Sequence, residues 1–167
     1  VEQYFPSNSP PTDAGLSQVQ NRGKVQANGF EIELNGRPFP WLEASASYAY
    51  QKSHDYDDDG ILENSPDHLA KLRAAVPLGR KFDASSSMQY YSKRRTLAGD
   101  YVTPVYLADF TITSKNLLPI FDVQFGVRNA FNRMYSDPIA LTPSVDTLPQ
   151  QGRTIYLQLT VHLPGHQ

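Results

Sequence analysis

Arg153-Thr154-Ile155-Tyr156-Leu157-Gln158-Leu159-Thr160-Val161-His162-Leu163 is the stretch that decides the fold. Ile155, Leu157, Leu159, Val161 and Leu163 occupy one parity, and Thr154, Tyr156, Gln158, Thr160 and His162 the other. Successive side chains of a β-strand point to opposite faces, so the stretch reads as a strand with one apolar face. The same period of two recurs upstream in residues 30–34 (starting as early as 23), 41–52, 68–76, 81–92, 105–114 and 121–131, which makes seven segments. Most exceed the usual globular strand of about five or six residues. With 13 Pro, 10 Gly, 10 Tyr and 8 Phe, the composition fits an all-β chain cut by turns.

The two faces differ in charge. Alternate positions in 30–34, 42–50, 70–76, 82–90, 106–112, 121–127 and 155–163 hold no charged residue. The opposite face holds Glu31, Glu33, Glu43, Lys71, Arg73, Asp83, Asp109, Asp122 and Arg128. Alternation alone leaves two orientations open: a soluble, lipocalin-like carrier buries its apolar face inside, whereas a membrane barrel turns it to lipid. The connections 35–40, 53–67, 77–80, 93–104, 115–120 and 132–152 run short, long, short, long, short, long. An outer-membrane barrel has that pattern, with tight periplasmic turns and long external loops. Trp41, Phe82 and Phe121 then fall near the periplasmic rim and Tyr48, Tyr50, Tyr90 and Tyr106 near the external rim, as two aromatic belts require. A complete small barrel of about eight strands, with an adhesive or structural role, also suits the 167 residues.

Other classes find less support. Lys and Arg number 15 against 17 Asp and Glu, so the net charge of -2 gives no reason to expect nucleic acid. No apolar run reaches the roughly 18 residues of a transmembrane helix. The absence of Cys excludes disulfides, thiolate metal sites and cysteine nucleophiles. There is no Gly-x-Ser-x-Gly elbow and no Walker loop, and His162 has no evident Ser partner, so no catalytic residue is expected. His54, His68, His162 and His166 stand at no metal-ligand spacing. Val1-Glu2-Gln3-Tyr4-Phe5 carries neither an initiator Met nor a leader, and is expected to begin a fragment or a processed product.

Four stretches, in this order, resemble the TonB-dependent outer-membrane receptors. They are Asn21-Arg22-Gly23-Lys24-Val25-Gln26-Ala27-Asn28-Gly29-Phe30-Glu31-Ile32-Glu33-Leu34 and Asn64-Ser65-Pro66-Asp67-His68-Leu69-Ala70-Lys71-Leu72, then Val127-Arg128-Asn129-Ala130-Phe131-Asn132-Arg133-Met134-Tyr135 and Pro149-Gln150-Gln151-Gly152-Arg153-Thr154-Ile155-Tyr156-Leu157-Gln158-Leu159-Thr160-Val161. The resemblance implies an antiparallel transmembrane β-barrel segment, about seven or eight strands from the C-terminal part of a barrel of about 22 with a plugged lumen. On that reading residues 1–18 are a partial strand and an external loop, 19–163 the seven strands, and 164–167 a tail, with plug and signal peptide outside this chain. The resemblance implies a last strand that ends in a terminal aromatic, whereas here Leu163 is followed by Pro164-Gly165-His166-Gln167.

The resemblance also implies a function: uptake of a scarce ligand such as a ferric siderophore, cobalamin or another metal chelate. The TonB-ExbB-ExbD complex would drive it through the missing N-terminal region, and outer-membrane lipid and lipopolysaccharide would surround the wall. Tyr91, Arg94, Arg95, Asp100 and Tyr101, at or beside an external loop, combine cations and aromatics that could grip an anionic chelate; binding of lipopolysaccharide phosphates or plain solvation is the other reading of these residues. The nine charges of the polar face could hold the plug, or pair laterally across strands. Asp55, Asp57 and Asp59, followed by Gly60, match the opening of a calcium loop, but its twelfth position is Pro66 where Glu is required. A solvated acidic loop is the other reading of those carboxylates.

Overall fold

In a computed structural model, residues 25–56, 62–114, 121–142 and 145–162 are described. Seven long strands form one antiparallel sheet: β1 (Val25–Phe39), β2 (Leu42–Asp55), β3 (His68–Leu78), β4 (Phe82–Tyr91), β7 (Val105–Ser114), β8 (Phe121–Arg128) and β11 (Thr154–Val161). Each pairs with the next in that order, so every connection within the sheet joins neighbours. Two small hairpins sit in the long connections: β5 (Arg94–Arg95) with β6 (Tyr101–Val102), and β9 (Ser136–Thr142) with β10 (Val145–Pro149).

The sheet is a single layer, and its large apolar side chains do not pack on a second one. Leu34 and Leu157 are each 67 % exposed, and Phe30, Ile32, Leu72, Met88, Phe110, Phe125, Ile155 and Leu159 are exposed beside them. A contiguous apolar face of this extent needs an apolar neighbour, which a bilayer supplies. The register makes the face continuous. Ile32, Tyr48, Ala70, Tyr90 and Tyr106 lie in one cross-strand row, with the Tyr90 and Tyr106 rings stacked 4.5 Å apart. Next to it on the same face, Phe30, Tyr50 and His68 form a second row, and the Tyr48 hydroxyl lies 2.7 Å from His68 Nδ1. At the opposite rim Phe39 stacks on Trp41 at 5.3 Å. From Trp41 to Tyr50 the chain advances about 30 Å at ~3.3 Å per residue. A tilt of about 40° turns that into about 23 Å of membrane depth, close to the ~25 Å apolar band of outer-membrane barrels.

Burial concentrates at the rim of long connections. Val102, Val105, Ala108, Ser92, Arg94, Thr96 and Asn129 are the buried group there. At the other rim the chain turns tightly, at residues 40–41 and at 79–81, where Gly79 adopts φ 71°. That left-handed conformation favours glycine because it has no Cβ to clash.

Boundaries differ from the sequence expectation where backbone geometry overrides the alternation. β1 runs on to Phe39 through Gly36-Arg37-Pro38, absorbing the misfit as a register shift between Gly36 and Phe39. β8 stops at Arg128 rather than at 131, because Asn129 takes φ 48° and turns the chain.

Candidate functional site

The polar face and its rim of long connections form the site. Across the middle, Asn35, Ser45, Arg73, Ser87 and Asp109 make one row. The small serines leave a concavity of ≈ 610 Å³ walled by Arg37, Glu43, Arg73 and Asp109. One row nearer the tight turns, Glu43, Ala75, Ser85, Thr111, Gly126 and Tyr156 align. Tyr156 extends its hydroxyl over Gly126 to Thr111 Oγ1 at 3.2 Å, and Gln124 Nε2 donates to that hydroxyl at 3.3 Å. The Arg128 guanidinium sits 5.0 Å from the same ring.

At the rim a second concavity, ≈ 240 Å³, is lined by Gln89, Asp109, Arg128, Asn129, Tyr135 and Gln151 among others. Its floor is a turn held by two asparagines in the left-handed region, Asn129 (φ 48°) and Asn132 (φ 51°). Asn129 Nδ2 donates to the carbonyls of Arg133 and Gln151 at 2.8 and 3.2 Å, and its backbone N–H donates to Asp109 Oδ1 at 2.9 Å. Asn132 Oδ1 accepts from the backbone N–H of Arg153 at 2.9 Å. These bonds join the third and fourth stretches that carry the sequence resemblance. Burial, helped by the Asp137 carboxylate, pushes the Tyr135 phenol above its ordinary value.

Three long connections are tied together above this floor. Arg94 donates to Asp137 Oδ1 at 2.7 Å and to Asn64 Oδ1 at 3.5 Å, its side chain only 9 % exposed. Its guanidinium lies 5.5 Å from the Tyr91 ring, while the Tyr91 hydroxyl donates to Gln89. The backbone N–H of Asn64 donates to the Arg95 carbonyl at 2.9 Å. The five residues expected to meet ligand are thus gathered on and beside the β5–β6 hairpin, but they do not face one way. Arg94 points inward to Asp137, whereas Tyr101 is exposed and stacks under Lys93 Nζ at 4.8 Å. Arg95 pairs with Tyr101 across the hairpin, and the Asp100 carbonyl accepts from Thr96 N–H at 2.8 Å.

The nine polar-face charges divide by partner. Glu43 pairs with Arg37 at 3.3 Å, Asp122 with His162 at 3.0 Å, Asp109 holds the Asn129 turn and Arg128 stacks on Tyr156. Glu33 accepts from Asn35 at 2.7 Å. Asp83 lines a further concavity with Trp41 and Pro77 near the tight turns. Glu31 lies in the row of Ala49, Leu69, Tyr91 and Val105. Lys71 and Arg73 lie between serines and Gln89, with no acidic partner among the described residues. For the calcium reading, Asp57 and Asp59 lie outside the described residues and Asp55 ends β2. Among the described residues no three His, Asp or Glu side chains converge on a metal position. Asn64, Asn129, Tyr135 and Asp137 were not singled out from sequence; the asparagines' tolerance of left-handed turns is the signal that could have found three positions, 64, 129 and 132.

The profile of the family described as "TonB dependent receptor-like, beta-barrel" matches residues 2–130. The chain belongs to the TonB-dependent receptor β-barrel family. Among solved structures, the ferripyoverdine receptor of Pseudomonas aeruginosa superposes with a TM-score of 0.70 at 15 % identity, over 95 % of this chain and 23 % of its own. BauA, the ferric preacinetobactin receptor of Acinetobacter baumannii, gives 0.70 at 19 % identity, over 83 % of this chain and 22 % of its own. The copper transporter OprC gives 0.65 at 16 % identity, over 81 % and 24 %. Identities this low establish likeness of fold, and the chain spans under a quarter of each receptor's length. No curated protein matches the chain.

Membership in the TonB-dependent receptor family resolves the orientation that alternation left open. The apolar face meets outer-membrane lipid, the polar face lines the lumen, and the soluble carrier falls away. The family is one of transporters, not enzymes.

Proposed function

We propose that the chain is the C-terminal wall of a receptor that captures a metal chelate, a ferric siderophore first, at its external mouth. The observation that carries this is the mouth concavity. Gln89, Asp109, Arg128, Asn129, Tyr135 and Gln151 present donors, acceptors and a phenol on the lumen side, directly beneath the tied external connections. Such a mixed polar lining suits an oxygen-rich chelate, and the ferripyoverdine and ferric preacinetobactin receptors share the fold. Arg95, Tyr101, Asp100 and Tyr91 would contact ligand, and Arg94 would act as a positioning residue through Asp137. Lys71 and Arg73 would receive carboxylates of a plug, and the TonB-ExbB-ExbD complex would act on that plug from the periplasmic side.

In the full-length receptor, ferric hydroxamate and ferric catecholate siderophores and free copper are titrated against intrinsic fluorescence. The expected result is saturable binding of one ferric chelate, weakened about tenfold or more by Tyr101→Ala or Arg95→Ala. Saturable binding of copper without any ferric chelate would replace the siderophore reading with a metal-ion one.

A further inference from the structure

Tyr90 of β4 and Tyr106 of β7 stand directly opposite each other across the strand pair, near the external end of both strands. Opposed residues of antiparallel strands hold their Cβ atoms about 4.5–5.5 Å apart, and here both carry a phenol. The two rings lie 4.5 Å apart at 28°, close to parallel. Near-parallel rings rising from opposed backbone positions run side by side, so the carbons ortho to one hydroxyl lie beside those ortho to the other. Tyr48 and Tyr50 are placed differently: they pack on Phe30 and His68, and Ala70 stands between Tyr48 and Tyr90 in the row. Tyr106 is exposed on the lipid-facing side. A belt tyrosine holds its hydroxyl at the headgroup level, within reach of small oxidants from outside the cell.

We propose that Tyr90 and Tyr106 form an oxidative modification site whose product is an intramolecular dityrosine. The co-reactant is hydrogen peroxide activated by a haem peroxidase. Each phenol loses one electron and one proton, and the two phenoxyl radicals join through their ortho carbons. The hydrogens displaced from those carbons move to the oxygens, so both hydroxyls are restored. One peroxide takes up the two electrons and two protons and leaves as two waters. Contact favours this outcome over escape, because a radical held against a second phenol needs no diffusive encounter. The position of the new bond gives it a consequence at the rim. It closes residues 90–106 into a covalent loop that contains the whole β5–β6 hairpin, with Tyr91, Arg94, Arg95, Asp100 and Tyr101 inside it. Oxidation thus staples that hairpin at its base, joining β4 to β7 by a bond that cannot open with the ladder. The inference stands on the β4–β7 register and is independent of which chelate the receptor carries.

The test treats the full-length receptor in nanodiscs with peroxide and peroxidase, digests it with trypsin and reads the peptides by mass spectrometry. Trypsin parts Tyr90, in 82–93, from Tyr106, in 96–115, so the product appears as those two peptides joined with the loss of two hydrogens. Each peptide also carries a second tyrosine, Tyr91 on the polar face or Tyr101 on the hairpin. The joined species should persist in Tyr91→Phe and Tyr101→Phe and disappear in Tyr90→Phe and Tyr106→Phe. Heat-modifiable migration shows that each variant has inserted, and chelate binding by untreated samples reads the receptor function separately. Persistence in Tyr106→Phe, loss in Tyr91→Phe, or equal yield from urea-unfolded receptor would each overturn the assignment. So would a parent receptor that yields only oxygenated single peptides.

Discussion

Tyr156 occupies the space above Gly126 that any side chain there would need: a Cβ built on Gly126 falls within the contact distance of the Tyr156 ring. The two are cross-strand partners on the lumen face, so the missing side chain of one is filled by the ring of the other. Gly126→Val should expel the ring and break its hydroxyl contacts to Thr111 and Gln124. A loss of about 1–3 kcal/mol is expected from overpacking at such a site, read as a lower urea midpoint for the receptor in lipid. An unchanged midpoint would show that the ring has another resting place.

Neighbouring residues of β11 test the two faces directly. Leu157 is exposed toward lipid and pairs with Phe125, while Gln158 pairs with Gln124 toward the lumen. Leu157→Arg should cost about 2–4 kcal/mol near the bilayer midplane and reduce the heat-modifiable, inserted fraction. Gln158→Arg should leave that fraction close to the parent. The reverse ranking would invert the barrel's faces.

The Arg94–Asp137 pair joins residues 43 positions apart in sequence. Asp137→Asn would leave a guanidinium largely out of water without its counter-charge, a loss of roughly 1–3 kcal/mol confined to the rim. Amide exchange should rise in β5, β6, β9 and β10 together, with β2 to β4 unaffected. Faster exchange in only one hairpin would mean the pair does not tie the connections to each other.

Tyr135 supplies a pH signature. Its phenol is held above the ordinary value of 10.0, chiefly by burial. A phenol raised on folding contributes its stabilisation in full below the unfolded value and loses it as pH climbs through the folded one. The rim should therefore loosen only above about pH 10, followed by amide exchange or protease cutting in 129–153. Tyr135→Phe should remove that alkaline step while leaving neutral pH behaviour intact.

The seven long strands were legible because a lipid-facing wall imposes period two over many residues, as in 153–163, where every second residue is apolar. The β9–β10 hairpin was not, since Pro138 and Pro149 bracket a stretch whose apolar residues, Ile139, Ala140, Leu141, Val145 and Leu148, keep no strict alternation and read as a loop. β5 and β6, two residues each, are too short for any period to show. At the site, the residues singled out from sequence fall on and beside one hairpin, but sequence did not show the direction of its side chains. Arg94 reads as a solvated cation until Asp137 is brought to it by the fold, and His68 reads as a scattered histidine until Tyr48 and Tyr50 flank it in the belt.

The tie that runs from Asn64 through Arg94 to Asp137 has a consequence for anything that approaches the cell from outside. The surface it builds is assembled from three separate stretches of chain, so an antibody or phage protein that grips the rim across them recognises a discontinuous epitope. Peptides copied from any single loop would not reproduce it, and such a binder would report on whether the rim is correctly folded in living cells.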